Sequence, residues 1–328
     1  MNNIRKAHEK DISRIAEIIV VNYRINFYPF FRNDEFYFGE LNVLDTAKEF
    51  SENMLENTFV YDDGIIKGIV CTDGREIKKL FVEPQFQNCG IGAELLNFAV
   101  DNLNTDFLYV LEYNKRAVKF YQKHGFELTG EKFIEDDIVP MLKMSLKNIQ
   151  LKEIPQNSPE KSVLEKINQE AFPQNERISI DDLYSSNKDG NLSIIGIYAD
   201  NILSGFFVTR KFRNIAYIAY FAVSAEKRSK GIGSRALKLI RNYYENYRFI
   251  VEFESPDEKC TNNNIRLHRR NFYLRNGFFE TGLYNRYRDV EFIVACSEND
   301  FTTEEYMEFI AHLRSIVPEY RPEIISQE

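Results

Sequence analysis

Phe81-Val82-Glu83-Pro84-Gln85-Phe86-Gln87-Asn88-Cys89-Gly90-Ile91-Gly92-Ala93 reads as a strand, a tight turn and the opening of a helix. Gly90 and Gly92 let a ligand approach the main chain closely, because no Cβ stands in the way. The first N–H groups of a helix lack internal partners, and the helix dipole there favours negative charge. Such a turn is therefore an anion site, suited to a phosphate or diphosphate. Gln87 can add a donor from the loop. The dinucleotide fingerprint needs a third glycine and a later acidic residue, and a P-loop needs Gly-Lys-Ser/Thr. Neither pattern is present.

The pattern recurs as Ala222-Val223-Ser224-Ala225-Glu226-Lys227-Arg228-Ser229-Lys230-Gly231-Ile232-Gly233-Ser234. A second echo follows in the same order: Phe120-Tyr121-Gln122-Lys123-His124-Gly125-Phe126 is matched by Phe272-Tyr273-Leu274-Arg275-Asn276-Gly277-Phe278. The first motif repeats after 141 residues and the second after 152, so the second half carries 11 more residues between them. The polar stretch from Ser255 to Asn264 is the natural place for the extra length. Two tandem copies of one fold account for most of the chain.

The elements that must position these residues can be read from periodicity and turn chemistry. In the first half a helix is expected from Asp11. Strands at Thr58–Tyr61 and Ile65–Cys71 flank the hairpin signal Asp62-Asp63-Gly64. A strand over Glu76–Val82 ends at Pro84, a helix spans Ile91–Val100, a strand Phe107–Leu111, and a helix Arg116–Lys123 stops at Gly125. The second half repeats the series: helix Pro159–Ala171, strands Ile194–Tyr198, Ile202–Val208 and Ile215–Val223, helix Ile232–Tyr244, strand Phe249–Phe253 and helix Ile265–Arg275. Pro155, Asn157, Ser158 and Pro159 mark the joint. Thr302 with Glu305 three residues on forms a capping box for a last helix running to about Ile316. The expected domains are 1–149, 150–300 and a helical appendage, 301–328.

Composition narrows the function classes. The 328 residues are 44% apolar and 28% charged, which is a folding composition. The net charge of −8 argues against a nucleic-acid partner. Residues 1–149 hold 18 Lys and Arg against 24 Asp and Glu, and the remainder 24 against 26, so the first half is the more acidic. No apolar run is long enough to span a bilayer. The first residues lack the apolar stretch of a secretion signal, and a cytoplasmic location is expected. Cys71, Cys89, Cys260 and Cys296 show no paired spacing and read as reduced thiols. His8, His124, His268 and His312 are scattered, so no metal site is expected.

Taken together, these motifs resemble the GNAT N-acetyltransferase superfamily, which moves an acetyl group from acetyl-CoA to an amine. The resemblance rests on Leu80-Phe81-Val82-Glu83-Pro84, on Gln87-x-x-Gly90-x-Gly92, and on Asn114-x-x-Ala117-x-x-Phe120-Tyr121-x-x-x-Gly125-Phe126. Ala222-Val223, Arg228-x-x-Gly231-x-Gly233 and Phe272-Tyr273-x-x-x-Gly277-Phe278 carry it in the second copy. It covers about residues 3–147 and 150–297. It implies an α/β protein of two tandem domains, each a mixed, mostly antiparallel sheet with a central V-shaped splay flanked by helices.

The resemblance also implies roles. The turns Gln87, Asn88, Cys89, Gly90, Ile91, Gly92, Ala93 and Arg228, Ser229, Lys230, Gly231, Ile232, Gly233, Ser234 would hold the CoA diphosphate. Phe81-Val82 and Ala222-Val223 would pair with its pantetheine arm, and Asn114 would add a contact. Tyr121 and Tyr273 would be the acids that protonate the leaving thiolate, and Glu76 a base for the amine. Tyr28, Phe31 and Tyr37 would line the acceptor pocket, with core packing as the alternative for each. In the second half Tyr217 stands at the position of Glu76 and Arg266 at that of Asn114, so Glu252, Glu254 or Glu176, or a water relay, would take the place of the base. The first half is therefore expected to be the better catalyst, on a small-molecule or peptide amine. Two alternatives remain open: a second half that only binds CoA, and a tandem transferase with a specialised acceptor, as in mycothiol synthesis or aminoacyl transfer. Glu135-Asp136-Asp137 reads as a solvated loop.

Overall fold

The computed structural model describes residues 3–135, 138–174, 177–288 and 290–326. The chain divides into two compact units, Met1–Lys147 and Asn148–Glu328. The first contains β1 (Ile4–Lys6), α1 (Ile12–Asn26), α2 (Tyr28–Phe31), α3 (Val43–Asn53), β2 (Thr58–Asp62), β3 (Ile66–Asp73), β4 (Glu76–Val82), α4 (Ile91–Asn102), β5 (Phe107–Leu111), α5 (Lys115–Lys123), β6 (Phe126–Glu135) and β7 (Val139–Leu146). Its strands form one sheet in the order β1-β2-β3-β4-β5-β7-β6. All neighbours are antiparallel except β4 and β5.

The second unit contains β8 (Ile149–Glu153), α6 (Lys161–Ala171), α7 (Ile180–Ser185), β9 (Leu192–Ala199), β10 (Ile202–Phe212), β11 (Ile215–Val223), α8 (Ile232–Tyr243), β12 (Arg248–Glu254), α9 (Asn263–Arg275), β13 (Phe279–Tyr287), β14 (Val290–Cys296), α10 (Thr303–Ile316) and β15 (Glu323–Ser326). The sheet order is β15-β13-β14-β12-β11-β10-β9-β8, and β11 with β12 is the parallel pair. Both units are thus mixed, mostly antiparallel sheets with flanking helices.

The parallel pair is where each sheet opens. β4 and β5 are in register only at Glu76↔Phe107 and Ile77↔Leu108. β4 then runs five residues further, to Val82, without β5 beside it. β11 pairs with β12 from Ile215↔Arg248 to Ile218↔Val251, and likewise runs five residues further, to Val223. A bulge follows the last pair in both copies. The register against the preceding strand shifts between Cys71 and Thr72 in the first unit, and between Val208 and Thr209 in the second. A bulge adds twist and bends the strand, which drives the two parallel strands apart.

Helices on one face hold the splay. Ile77, Leu80 and Val82 pack with Ile91, Leu95, Leu96, Val118 and Tyr121, and Phe126 closes the cluster. The second unit matches it with Ile218, Phe221, Val223, Ile232, Ala236, Tyr273 and Phe278. On the other face α1 packs Ile15, Ile18 and Ile19 against Val60 and Ile69. α6 and α7 do the same with Leu164, Ile167, Ile180 and Leu183. Opposite each valine lies a glycine: Gly68 pairs with Val82 and Gly205 with Val223. A Cβ on Gly68 would stand 2.9 Å from Leu95 Cδ1, and one on Gly205 2.4 Å from the carbonyl oxygen of Ala222.

The segment after residue 300 is built into the second unit. Thr302 caps α10, accepting from the N–H of Glu305, whose carboxylate accepts from the N–H of Thr302. Tyr306, Phe309, Ile310 and Leu313 pack on Ile215, Ile250, Leu283, Val294 and Cys296. β15 hydrogen-bonds to β13 over Leu283–Arg286. Gly205→Ala forces a side chain onto main chain and should lower the urea midpoint of unfolding, costing about 1–3 kcal/mol. Gly233→Ala, whose Cβ meets Phe272 at an ordinary 3.4 Å, should leave the midpoint near wild type.

Candidate functional site

The two glycine turns have the same backbone. Pro84–Phe86 and Ala225–Lys227 each form one 3₁₀ turn. Gln87 and Arg228 are then extended, and Asn88 (φ +64°) and Ser229 (φ +61°) are left-handed. Gly90 (φ +90°) and Gly231 (φ +70°) are left-handed again and stand at the N-caps of α4 and α8. Glycine is required at these caps because a side chain is strained at such φ values. The first bonds of α4 run from Ala93 and Glu94 to the carbonyl of Gly90. Among the described residues, the main-chain N–H groups of residues 88–92 and 229–233 have no partner. Successive unpaired N–H groups at a helix start make a concave anion nest.

Side chains lock the strand end beside each nest. The carbonyl of Val82 accepts from Gln87 Nε2 at 3.1 Å and from the buried Asn22 Nδ2 at 3.2 Å. The carbonyl of Val223 accepts from Arg228 Nε at 2.9 Å. Gln87 and Arg228 thus tie the turn to the strand. A Cβ on Gly92 would point at Phe120 and Val82, and one on Gly233 at Phe272 and Phe221. These second glycines face the aromatic residue that precedes each tyrosine, with ordinary room for a Cβ.

Tyr121 and Tyr273 occupy the same place in the two units. Tyr121 is buried, edge-on to Phe120 and Phe126. Tyr273 is stacked on Phe253 at 5.4 Å. Among the described residues neither hydroxyl has a hydrogen bond. Burial raises both phenol pKa values, that of Tyr273 to about 12, so both rings stay protonated near neutrality.

Other sequence candidates are placed less favourably. Glu76 lies at the closed end of the splay, six residues or roughly 20 Å along the strand from Val82. Its carboxylate binds Lys78 at 2.8 Å. Asn114 caps α5, accepting from the N–H of Ala117 at 3.0 Å. Arg266 does no capping: it bonds the carboxylate of Glu254 at 2.7 Å and the carbonyl of Ser255 at 3.0 Å. Glu254 is also paired with Arg269. Glu176 lies outside the described residues. Cys89 is exposed, and all four cysteines are free. Tyr28 donates to Asp34 and meets Tyr37 edge-on, and Phe31 is half-buried. Phe30, next to Phe31 but not among the expected pocket residues, stacks on Tyr113 at 5.5 Å with both rings exposed.

Glu252 is ringed by partners from β11, β13, α10 and the segment before β15. Its carboxylate accepts from Tyr306 at 2.6 Å, Asn285 Nδ2 at 3.0 Å, and Tyr217 and Tyr320 at 3.3 Å each. Tyr217, the counterpart of Glu76, is thereby drawn into a network closed by α10 and the segment before β15. The hydrogen bonds favour the carboxylate, but desolvation is the larger effect and raises the Glu252 pKa.

Comparison with known proteins matches each unit to a family model. Residues 36–148 match a family model described as an acetyltransferase (GNAT) domain, and residues 161–278 one described as the acetyltransferase (GNAT) family. A peptidyl-lysine N-acetyltransferase, YjaB of Escherichia coli K12, is 33% identical over 69 residues, which is 21% of this chain and 47% of that protein. N-alpha-acetyltransferase 50 of Danio rerio is 27% identical over 137 residues, 38% of this chain and 71% of that protein. The chain spans about half the length of the YjaB proteins it matches. Among solved structures, a putative GNAT acetyltransferase of Bacteroides thetaiotaomicron has TM-score 0.44 and 24% identity, covering 52% of this chain and 99% of that one. The Thermoplasma acidophilum paia N-acetyltransferase with coenzyme A has TM-score 0.32 and 19% identity, covering 43% and 97%. Among the described residues no helix is long and apolar enough to cross a membrane.

Glu252 generates a pH prediction. Its folded pKa lies above the ordinary 4.5, so the folded state holds a proton that the unfolded state has released, and stability falls as pH rises through that window. Glu252→Gln removes this loss. The difference in unfolding free energy between variant and wild type should move in the variant's favour as pH rises above the ordinary carboxylate range.

Proposed function

Because the chain belongs to the GNAT acetyltransferase family, with two of its domains in tandem, we propose that the first unit transfers an acetyl group from acetyl-CoA to a primary amine. The observation that carries this reading is the anion nest of residues 88–92, set at the open end of the splay with the buried, protonated Tyr121 in the same cluster. The nest fits a diphosphate by charge and by its unpaired N–H groups. Beyond Ile77, β4 has no β5 beside it, so its main-chain groups are available to an extended ligand arm. Bound acetyl-CoA supplies the thioester carbon that the amine attacks and the thiolate that leaves.

The residues of this chain divide the remaining work. The nest and Gln87 hold the diphosphate, and Phe81-Val82 orients the arm. An alkyl amine has a pKa near about 10 and must lose a proton before it attacks. Glu76, reached through water, takes it. The N–H groups of β4 past the bulge stabilise the negative oxygen. Tyr121 gives its proton to the departing sulfur, and burial keeps that proton in place until then. The acceptor is a lysine side chain of a peptide or a small cationic amine. The YjaB relatives support the former, and the acidity of residues 1–149 suits both.

A second reading applies to the second unit: it binds acetyl-CoA without turning it over. Its nest matches that of the first unit, yet the carboxylate of Glu252 accepts from Tyr217, Tyr306 and Tyr320. Of the acidic residues weighed as its base, Glu252 is held in that network and Glu254 by two arginines.

Calorimetry with CoA should find two sites. Asn88→Asp and Ser229→Asp keep residues that tolerate the left-handed backbone but set a carboxylate at the diphosphate. Each should abolish one site, and Asn88→Asp alone should abolish acetyl transfer. One site in the wild type, or full activity in Asn88→Asp, would overturn the reading.

A further inference from the structure

The outer half of β4 carries a cation that the second unit lacks. Lys79 stands three residues before Val82, roughly 10 Å along the strand. It lies past Ile77, where β5 has already left β4. Leu80 and Val82 pack with the α4 cluster, and Phe81 with the α1 cluster. Lys79 is on the α1 side: its ammonium donates to Tyr23 Oη at 3.0 Å and sits 5.2 Å from the centre of that ring. Tyr23 is stacked on Phe27 at 4.8 Å and edge-on to Phe81 at 5.8 Å. The neighbouring Asn22, which bonds the carbonyl of Val82, fixes this end of α1 against the strand end. At the 141-residue offset the second unit has Tyr220, packed edge-on to Phe172.

The charge is not spent inside the fold. Lys79 is half-buried, and its bond to Tyr23 uses one of three N–H groups. Among the described residues no carboxylate forms an ion pair with it, whereas Lys78 beside it is paired with Glu76. Burial works against the charge, but the pull of Tyr23, Cys71 and Glu49 outweighs it, so the amine stays protonated. An ammonium drawn out of water without a counter-ion costs free energy unless an anion meets it. The tyrosine of the second unit fills the same place without that cost.

We propose that Lys79 seats a carboxylate of the acceptor, so that the amine taken by the first unit is one that also carries a carboxylate. This rests on the reading of the first unit as an acetyltransferase and narrows its acceptor. The carboxylate accepts from the unspent N–H groups of Lys79, next to the rings of Tyr23 and Phe81. Such charge-assisted bonds are stronger than neutral ones. Two sources offer this chemistry: a free amino acid whose amine stands several methylenes from its carboxylate, and a peptide lysine beside an acidic residue. A diamine or polyamine brings a second cation to the place of the carboxylate and is disfavoured.

The test measures kcat/KM of the full chain with acetyl-CoA on two isosteric pairs of acceptors. One pair is 6-aminohexanoate and 6-aminohexanamide. The other is the peptide acetyl-Ala-Lys-Glu-Ala-amide and its partner acetyl-Ala-Lys-Gln-Ala-amide. The carboxylate member should be preferred about tenfold in at least one pair, chiefly through KM, and the pair that shows it identifies the source. Lys79→Met, which keeps an apolar stem against Tyr23, should bring that ratio to about one, and Lys79→Arg should keep a preference. A purely structural role would alter both members of a pair alike. Equal kcat/KM within both pairs for wild type, or a preference that survives Lys79→Met, would overturn the proposal and leave the acetyltransferase reading standing. No transfer to any of the four amines would remove that reading and the proposal with it.

Discussion

A parallel strand pair that parts after a few residues leaves main-chain N–H and C=O groups unpaired inside a sheet. That is costly unless something fills the gap, because buried backbone polar groups need partners. Both units accept this cost at the same place, five residues before Val82 and Val223. Much of the surrounding structure supports it. The bulge bends the strand away, Gly68 and Gly205 let the neighbouring strand follow, and Gln87 or Arg228 pins the strand end. The nest of N–H groups then continues the unpaired edge into a site for negative charge. An extended ligand with a diphosphate at one end satisfies both.

The two units differ in what covers the opposite side of the sheet. The register places Tyr109 where the second unit has Glu252, and the tyrosine offset places Phe133 where it has Asn285. In the first unit these aromatics meet edge-on at 4.8 Å, beside Lys143, which lies over Phe107. That surface is suited to water or to a polar partner. In the second unit the corresponding surface is apolar, apart from the Glu252 network, and α10 rests on it. The same duplicated frame thus carries one open and one filled face, and the filled one has drawn Tyr217 into the filling.

Much of the fold was legible because the critical positions need special backbone. Gly90 and Gly231 stand out by their spacing, though that both are left-handed is seen only in the structure. The strand Glu76–Val82 and the capping box at Thr302 were visible from local chemistry, and both stand where expected. Duplicated signals also went unread: Gly68 with Gly205, and Thr129-Gly130 with Thr281-Gly282. They fall in strands that look ordinary until the partner strand is known. The pairing of β15 with β13 and the partners of Glu252 are long-range, and no local pattern encodes them. Tyr121 and Tyr273 were found by motif, but only the structure brings each into one cluster with its strand end and helix start.

The central claim is that one of two similar frames does the chemistry, and the two tyrosines test it most directly. Each can be changed to phenylalanine, which keeps the ring packing and removes the proton. The measurement is the initial rate of acetyl transfer to a lysine peptide at saturating acetyl-CoA, for Tyr121→Phe and Tyr273→Phe side by side with wild type. The account predicts a fall of ~10²–10⁴-fold for Tyr121→Phe, the range for loss of a positioned acid, with CoA affinity kept, and a near wild-type rate for Tyr273→Phe. A wild-type rate in Tyr121→Phe, or the large loss in Tyr273→Phe instead, would contradict it.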